Sequence, residues 1–523
     1  MRPKPWHPPA EPSAAEGAII ARIRRAKLFT FLRRVRHELL SDAFQAELAA
    51  VFKESAKGQP PVPPAQLALA TLLQAYTGAS DDEAVEAAVM DRRWQLVLGC
   101  LDCESAPFGK ATLVRFRAAL VAEGLDRRLI ERTVELAERD RAVGPRQLRA
   151  ALDSSPLWGA GRVEDTYNLL GHALRKALGL IARQQGRGLA DTARAAGAGI
   201  LAGTSLKAAL DLDWDDPAAR GRALAAVLAA LDAAEAWLAG RPPPAAAGGA
   251  VAESLAVARQ VRDQDVEAGD GGARLRRGVA RDRRVSVEDA EMRHGRKSRS
   301  RRFDGYKRHV LRDLDSGLVR AVGVTAANAP EASVTGDLVA DLAPQAVDLI
   351  ELHIDRAYLA SELVRGRPPG LAIYCKAWPV RNGDRFPKTA FALDWEARTL
   401  RCPAEVTIPF QLGGVVHFPA ETCAICPLRE RCTTSAGGRS VSIHPDEPLL
   451  SEFRQRQQTP AGRAKLRERV AVEHSLAHVG HWQGRRARYR GQRKNLFDLR
   501  RAAVIHNLHV LQHAHESHRQ DAA

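Results

Sequence analysis

Three carboxylates, Asp153, Asp355 and Glu473, stand far apart in the chain, yet each sits where it can be delivered to one metal site. Asp153 closes the apolar run Leu148-Arg149-Ala150-Ala151-Leu152, and Asp355 closes Leu349-Ile350-Glu351-Leu352-His353-Ile354. Glu473 lies four residues after Arg469 in a basic stretch of helical character. Two strand-end aspartates and a helical glutamate offer the hard oxygen ligands that Mg²⁺ or Mn²⁺ takes. Two such ions about 3.5–4 Å apart activate a nucleophile and stabilise the leaving oxygen in phosphodiester chemistry, so nucleic-acid cutting is the leading expectation. Asp165, Asp348 and Glu468 compete for the three places and fit them less well. Asp165 lies beyond the first strand, Asp348 opens its strand, and Glu468 is turned away from Glu473 around the helix.

A second chemical set is Cys402, Cys423, Cys426 and Cys432, spaced Cys-x20-Cys-x2-Cys-x5-Cys in a segment rich in Gly, Pro and Thr with little apolar periodicity. Four thiolates around a central Cys-x2-Cys suit a closed tetrahedral Zn²⁺ site that would fold a coreless insert, with His417 or His444 able to replace one ligand. Cys100 and Cys103 have no second pair nearby and read as buried helix-end cysteines.

Charge points the same way as the carboxylates. The 523-residue chain, long enough for three or four domains, carries a formal net charge of +16. A GC-rich coding sequence would supply much of the Arg and Ala, but not the excess of positive over negative charge, which suits a polyanion such as DNA. Met1 to Pro9 has positive charge without a following apolar run, and Ala223 to Gly240 is interrupted by Asp232 and Glu235. Neither reads as a secretory signal or a membrane span, and seven cysteines in such a chain do not imply a disulfide framework, so a cytoplasmic protein is expected.

The elements that must position these groups follow from periodicity. Residues 1–60 read as a basic N-terminal arm, with an amphipathic segment from Ile19 to Leu40. Residues 61–145 read as a helical DNA-binding domain with helices at Gln66 to Tyr76, after the capping box that opens at Ser80, at Ala111 to Glu123 and at Asp126 to Arg139. In a helix-turn-helix reading, Arg115 and Arg117 on its third helix face DNA. Residues 160–295 read as a helical insertion with a flexible joint from Arg241 to Gly249. A hairpin is expected across Asp315-Ser316-Gly317, then a helix from Pro330 to Leu342, the strand ending at Asp355, a helix from Tyr358 to Arg365, and a strand from Leu371 to Cys375. This order gives an α/β fold with a mixed sheet. The Cys-bearing insertion spans 385–450, and Phe497, Val504, Leu508 and Leu511 form the core stripe of a last helix before a tail at 516–523. Two basic runs, His294 to Arg302 and Arg485 to Lys494, flank the metal-ligand elements. In the second, Arg485, Arg486, Arg488, Arg490, Arg493 and Lys494 are candidates for phosphate contacts.

Taken together, Leu152-Asp153-Ser154-Ser155, His353-Ile354-Asp355-Arg356-Ala357-Tyr358 and Arg469-Val470-Ala471-Val472-Glu473-His474 make the chain resemble the DDE transposases of bacterial insertion sequences. The resemblance covers about 60 to 515. It implies a ribonuclease H-like catalytic core over 146–515, interrupted by the helical and the Cys-bearing insertions. It also implies that Asp153, Asp355 and Glu473 hold two Mg²⁺ or Mn²⁺ ions while Arg469 orients Glu473 or contacts phosphate. The implied partners are double-stranded DNA, as element ends and target, and further copies of the chain in a dimer or larger assembly in the nucleoid. The Tyr-x2-Arg-x3-Glu-x6-Lys pattern of many relatives is only partly kept, with Leu466 at the Tyr place and Gly480 at the Lys place. A structure-specific nuclease without strand transfer, or a non-catalytic DNA-binding derivative, are the rival readings.

Overall fold

The computed structural model describes residues 2–53, 60–139, 147–240, 245–269, 272–298 and 300–521. A mixed sheet of six strands lies at its centre: β1 (Gln147–Trp158), β2 (Arg293–Arg296), β3 (Arg302–Asp313), β4 (Val319–Ala326), β5 (Asp348–Ile354) and β6 (Ala372–Cys375). β3 pairs antiparallel with β1, β2 and β4, whereas β5 is parallel to β1 and β6 is parallel to β5. The α/β class and mixed sheet expected of a ribonuclease H-like core are present, with helices packed on both faces.

Alternation along β1 divides its side chains between two cores. Ala151 and Leu157 join Val310, Val322 and Val472 in a cluster that also takes in the helices before the sheet and the last helix, Gln492–Asp521. Leu148, Ala150 and Leu152 join Leu338, Leu352, Ile354 and Phe453 on the opposite face. The apolar residues of Pro64–Thr77 and Leu125–Glu138 thus share one core with Phe497, Val504, Leu508 and Leu511, and the stripe expected on the last helix is buried. Ser80 and Glu83 form the expected capping box, each side chain accepting the other's backbone N–H.

The insertion after β1 has its own core, built by Thr166–Gln184, Pro217–Ala239 and Ala245–Asp265. Residues 241–244 of the expected flexible joint lie outside the described residues, and its remaining part, Ala245 to Gly249, opens a helix instead. A second difference concerns Ile19 to Leu40. The segment breaks into Ala14–Arg22 and Lys27–Leu39, and Arg33 and Arg36 are not a solvated face: both are buried. Arg33 is paired with Glu16, and Arg36 donates to the carbonyls of Leu96 and Val97, satisfying C-terminal groups of a neighbouring helix.

Candidate active site

β1 does not end at Asp153. It runs on to Trp158 because β3 continues to pair with it, Asp153 opposite Val310 and Trp158 opposite Gly305. Only its parallel neighbour stops: Leu152 is the last residue paired with β5, opposite Ile354. Asp153 and Asp355 are therefore the next residues at one level of two adjacent strands, and both point toward the side occupied by the helix Val470–Gln483. That helix starts immediately after Arg469, so Glu473 falls in its first turn. The three carboxylates line a single cleft of about 930 Å³.

The cleft has a defined charge pattern. Asp153 accepts from the backbone N–H of Ser154 at 2.8 Å and from Arg469, whose other terminal nitrogen donates to Glu473 at 2.9 Å. Asp355 accepts from the N–H of Arg356 at 2.6 Å and caps the short turn that follows. Burial raises the Asp153 carboxyl above its ordinary range, with the negative charge of Asp355 adding to the effect and Arg469 opposing it. A site that crowds carboxylates in this way and draws a guanidinium between two of them has the donor chemistry for hard divalent cations. Behind the aspartates, Tyr358 hydrogen-bonds to the fully buried His309, whose other ring nitrogen meets Thr325. That pairing fixes the turn after Asp355.

Much of the remaining cleft wall is basic or aromatic, with Glu331 as a further carboxylate paired with Lys307. Arg296, Lys297, Arg301 and Lys307 line it, and Arg301 lies over the Trp158 ring, which packs beside Phe303. Arg299, in the same run, lies outside the described residues. Arg308 reaches the carbonyls of Pro156 and Gly484, and burial lowers it to about 10. Its guanidinium lies against Gly480, the position where a Lys was expected by analogy, and a Cβ there would sit 3.4 Å from it. Trp158, Lys307 and Arg308 were not singled out by sequence for this role. Only the pairing of β3 with the end of β1 could have suggested the last two.

Several other candidate residues are placed differently from expectation. Arg117 is not presented to solvent, because its guanidinium is bound to Asp81 and Gln74; Arg115 on the same helix is exposed. In the downstream run, Arg493 is paired with the buried Asp126, Arg490 with Glu288, and Arg486 with the carbonyl of Gly159. Arg485, Arg488 and Lys494 are exposed. The competitors for the triad lie elsewhere: Asp165 caps the helix Thr166–Gln184, Asp348 opens β5, and Glu468 pairs with Arg149.

Cys402, Cys423, Cys426 and Cys432 line one cavity. The Cys432 thiol is raised by burial and by the three neighbouring sulfurs, with Arg439 acting against them. The insert around them is not coreless, since Phe391, Leu400, Phe410, Val416, Phe418, Val441 and Ile443 form a small buried cluster beside the cysteines. Among the described residues, the group of three ligating side chains drawn within 4.8 Å of one another is Glu351, His353 and Glu468, not the thiols.

Two family matches bear on this geometry. Residues 411–512 match the family described as Transposase DDE domain, a stretch that contains Arg469 and Glu473, and residues 21–119 match the Transposase domain (DUF772). Both stretches are thus similar to transposase families, which supports a DDE transposase. Asp153 and Asp355 lie outside both matched stretches, and it is the sheet register and the shared cleft that place them beside Glu473. No curated protein and no solved structure matches the chain. No helix among the described residues is long and apolar enough to cross a membrane.

Proposed function

We propose that the chain binds the inverted-repeat ends of its own element, hydrolyses a strand there and joins the exposed 3′-hydroxyl to target DNA. The observation that carries this reading is the level placement of Asp153 and Asp355 on adjacent strands, with Glu473 facing them across one basic cleft. Asp153, Asp355 and Glu473 would hold two Mg²⁺ or Mn²⁺ ions, which when bound supply an activated water and neutralise charge on the scissile phosphate. Arg469, now shared between Asp153 and Glu473, keeps two carboxylates aimed at the same point and can turn toward a phosphate oxygen once a cation takes its place. Arg296, Lys297, Arg301 and Lys307 hold the DNA backbone along the cleft, and exposed Arg485, Arg488 and Lys494 extend that track.

In this reading the helical region before β1 recognises the ends through Arg115 rather than Arg117, and paired ends call for a dimer or larger assembly on DNA. The four cysteines would close on one Zn²⁺ by drawing their sulfurs together across the cavity they line. The test uses duplexes carrying the DNA that flanks the reading frame. Mg²⁺-dependent nicking at those flanks, followed by joining to a plasmid, is expected; cleavage of duplexes regardless of the flanking sequence and without joining would favour a structure-specific nuclease.

A further inference from the structure

The two strands that carry Asp153 and Asp355 meet the helix just before that of Glu473 at a second cluster of charges. Arg149 stands four residues before Asp153 on β1, and Glu351 stands four before Asp355 on β5, so each points to the same side as the aspartate that follows it. The two are direct cross-strand partners, and Arg149 donates to Glu351 through two nitrogens at 3.2 and 3.0 Å. His353, fully buried between Glu351 and Asp355 in sequence, meets the same Glu351 oxygen at 2.7 Å and stacks on Tyr374 of β6. The helix Pro460–Glu468, whose end abuts Arg469, adds Lys465, which contacts both Glu351 oxygens at 3.0 Å, and Glu468, which pairs with Arg149.

Glu351, His353 and Glu468 are close enough to suggest a metal site, but Arg149 and Lys465 already satisfy the two carboxylates, which makes the cluster an ion-pair network. Its position explains a feature of the sheet. The register between β1 and β5 shifts by one residue between Leu148 and Arg149: Leu148 is opposite Leu349, whereas Arg149 is opposite Glu351. Without that shift Asp153 would stand level with Ile354, and the two aspartates would point to opposite faces. The Arg149–Glu351 pair is the first one after the shift.

Resting on the metal-site reading above, we propose that Arg149, Glu351, His353, Lys465 and Glu468 form a register clamp that positions the three carboxylates for cation binding. They are positioning residues, acting through the elements they tie together. Glu351→Gln keeps the shape and removes the charge that three cations or donors share. Glu468→Gln weakens the clamp from its more exposed side and leaves the buried Glu351 contacts in place. Asp341→Asn, which breaks the remote Asp341–Arg500 pair, serves as a control for general destabilisation.

The experiment titrates Mn²⁺ into the full-length chain without DNA and follows free Mn²⁺ by electron paramagnetic resonance, alongside melting temperature. Asp355→Ala is run in parallel. The clamp predicts that Glu351→Gln weakens Mn²⁺ affinity on the order of tenfold or more, as is usual for groups that orient metal ligands, and that Glu468→Gln does so to a smaller degree. Asp341→Asn should lower the melting temperature while keeping wild-type affinity. If Asp355→Ala loses Mn²⁺ binding but folded Glu351→Gln and Glu468→Gln both keep wild-type affinity, the clamp is rejected and the site reading stands. If Asp355→Ala itself binds Mn²⁺ like wild type, the site reading fails and the clamp with it.

Discussion

Arg469 occupies the place where two carboxylates most need a positive charge. Removing it leaves Asp153, mostly buried beside Asp355, without its counter-charge. Arg469→Ala should therefore cost on the order of 1–3 kcal/mol in the absence of divalent ions, the range for a charged group left unpaired. A bound cation would restore much of that loss, so Mg²⁺ should raise the melting temperature of the variant more than that of wild type. Equal Mg²⁺ shifts in both proteins would argue that Arg469 is not standing where a cation binds. A second residue-scale effect concerns pH. Burial lowers His309 to about 3 and His506 to about 4, against about 6.5 in an unfolded chain. The unfolded state takes up these protons below about pH 6.5 and the folded state does not. The stability is thus complete above that pH and declines as pH falls toward 4, by up to about 1.4 kcal/mol per pH unit for each histidine. Urea titrations at pH 7.5, 6 and 5 should show His506→Gln losing less stability on acidification than wild type.

At the scale of elements, apolar periodicity and turn residues were enough to anticipate the hairpin of β3 and β4, the strand before Asp355 and the helices around Ser80, because each is fixed by local patterning. What was not readable depended on neighbours. Asp153 looked like a strand end because its apolar run stops there, but pairing with β3 carries the strand five residues further. Arg117 and Arg493 looked like nucleic-acid ligands because a single sequence does not reveal Asp81 or Asp126, which lie 36 and 367 residues away. The Cys-bearing insert looked coreless because its apolar residues are scattered over short strands. Since it has a core, Cys426→Ser should remove the proposed zinc without unfolding the segment. About one equivalent of zinc in wild type, less in the variant, and a cooperative melt retained by both is the expected result by metal analysis and calorimetry. Zinc absent from carefully reduced wild-type protein would rule out a metal role for this insert.

The helices before β1, the sheet and the Glu473 helix are tied together by the last helix, which packs against all three. Arg493 and Arg500 both pair with the fully buried Asp126, so neutralising Arg493 should destabilise the chain by on the order of 1–2 kcal/mol as well as weaken any DNA binding it supports. Arg488→Ala should leave the melting temperature unchanged and lower affinity for specific and random duplex alike, reducing the slope of the salt dependence by roughly 0.9 for each phosphate it neutralises. This architecture brings strand-borne aspartates from two distant segments and a helix-borne glutamate from a third to one cleft, where the three together are proposed to cut DNA. The decisive measurement incubates wild type, Asp153→Asn, Asp355→Asn and Glu473→Gln with Mg²⁺ and a duplex carrying the element's flanks, and follows strand cleavage alongside binding without metal. Cleavage by wild type alone, with binding retained by all four, is the expected result; cleavage at the wild-type rate by any one of the variants would contradict a shared role for the three carboxylates.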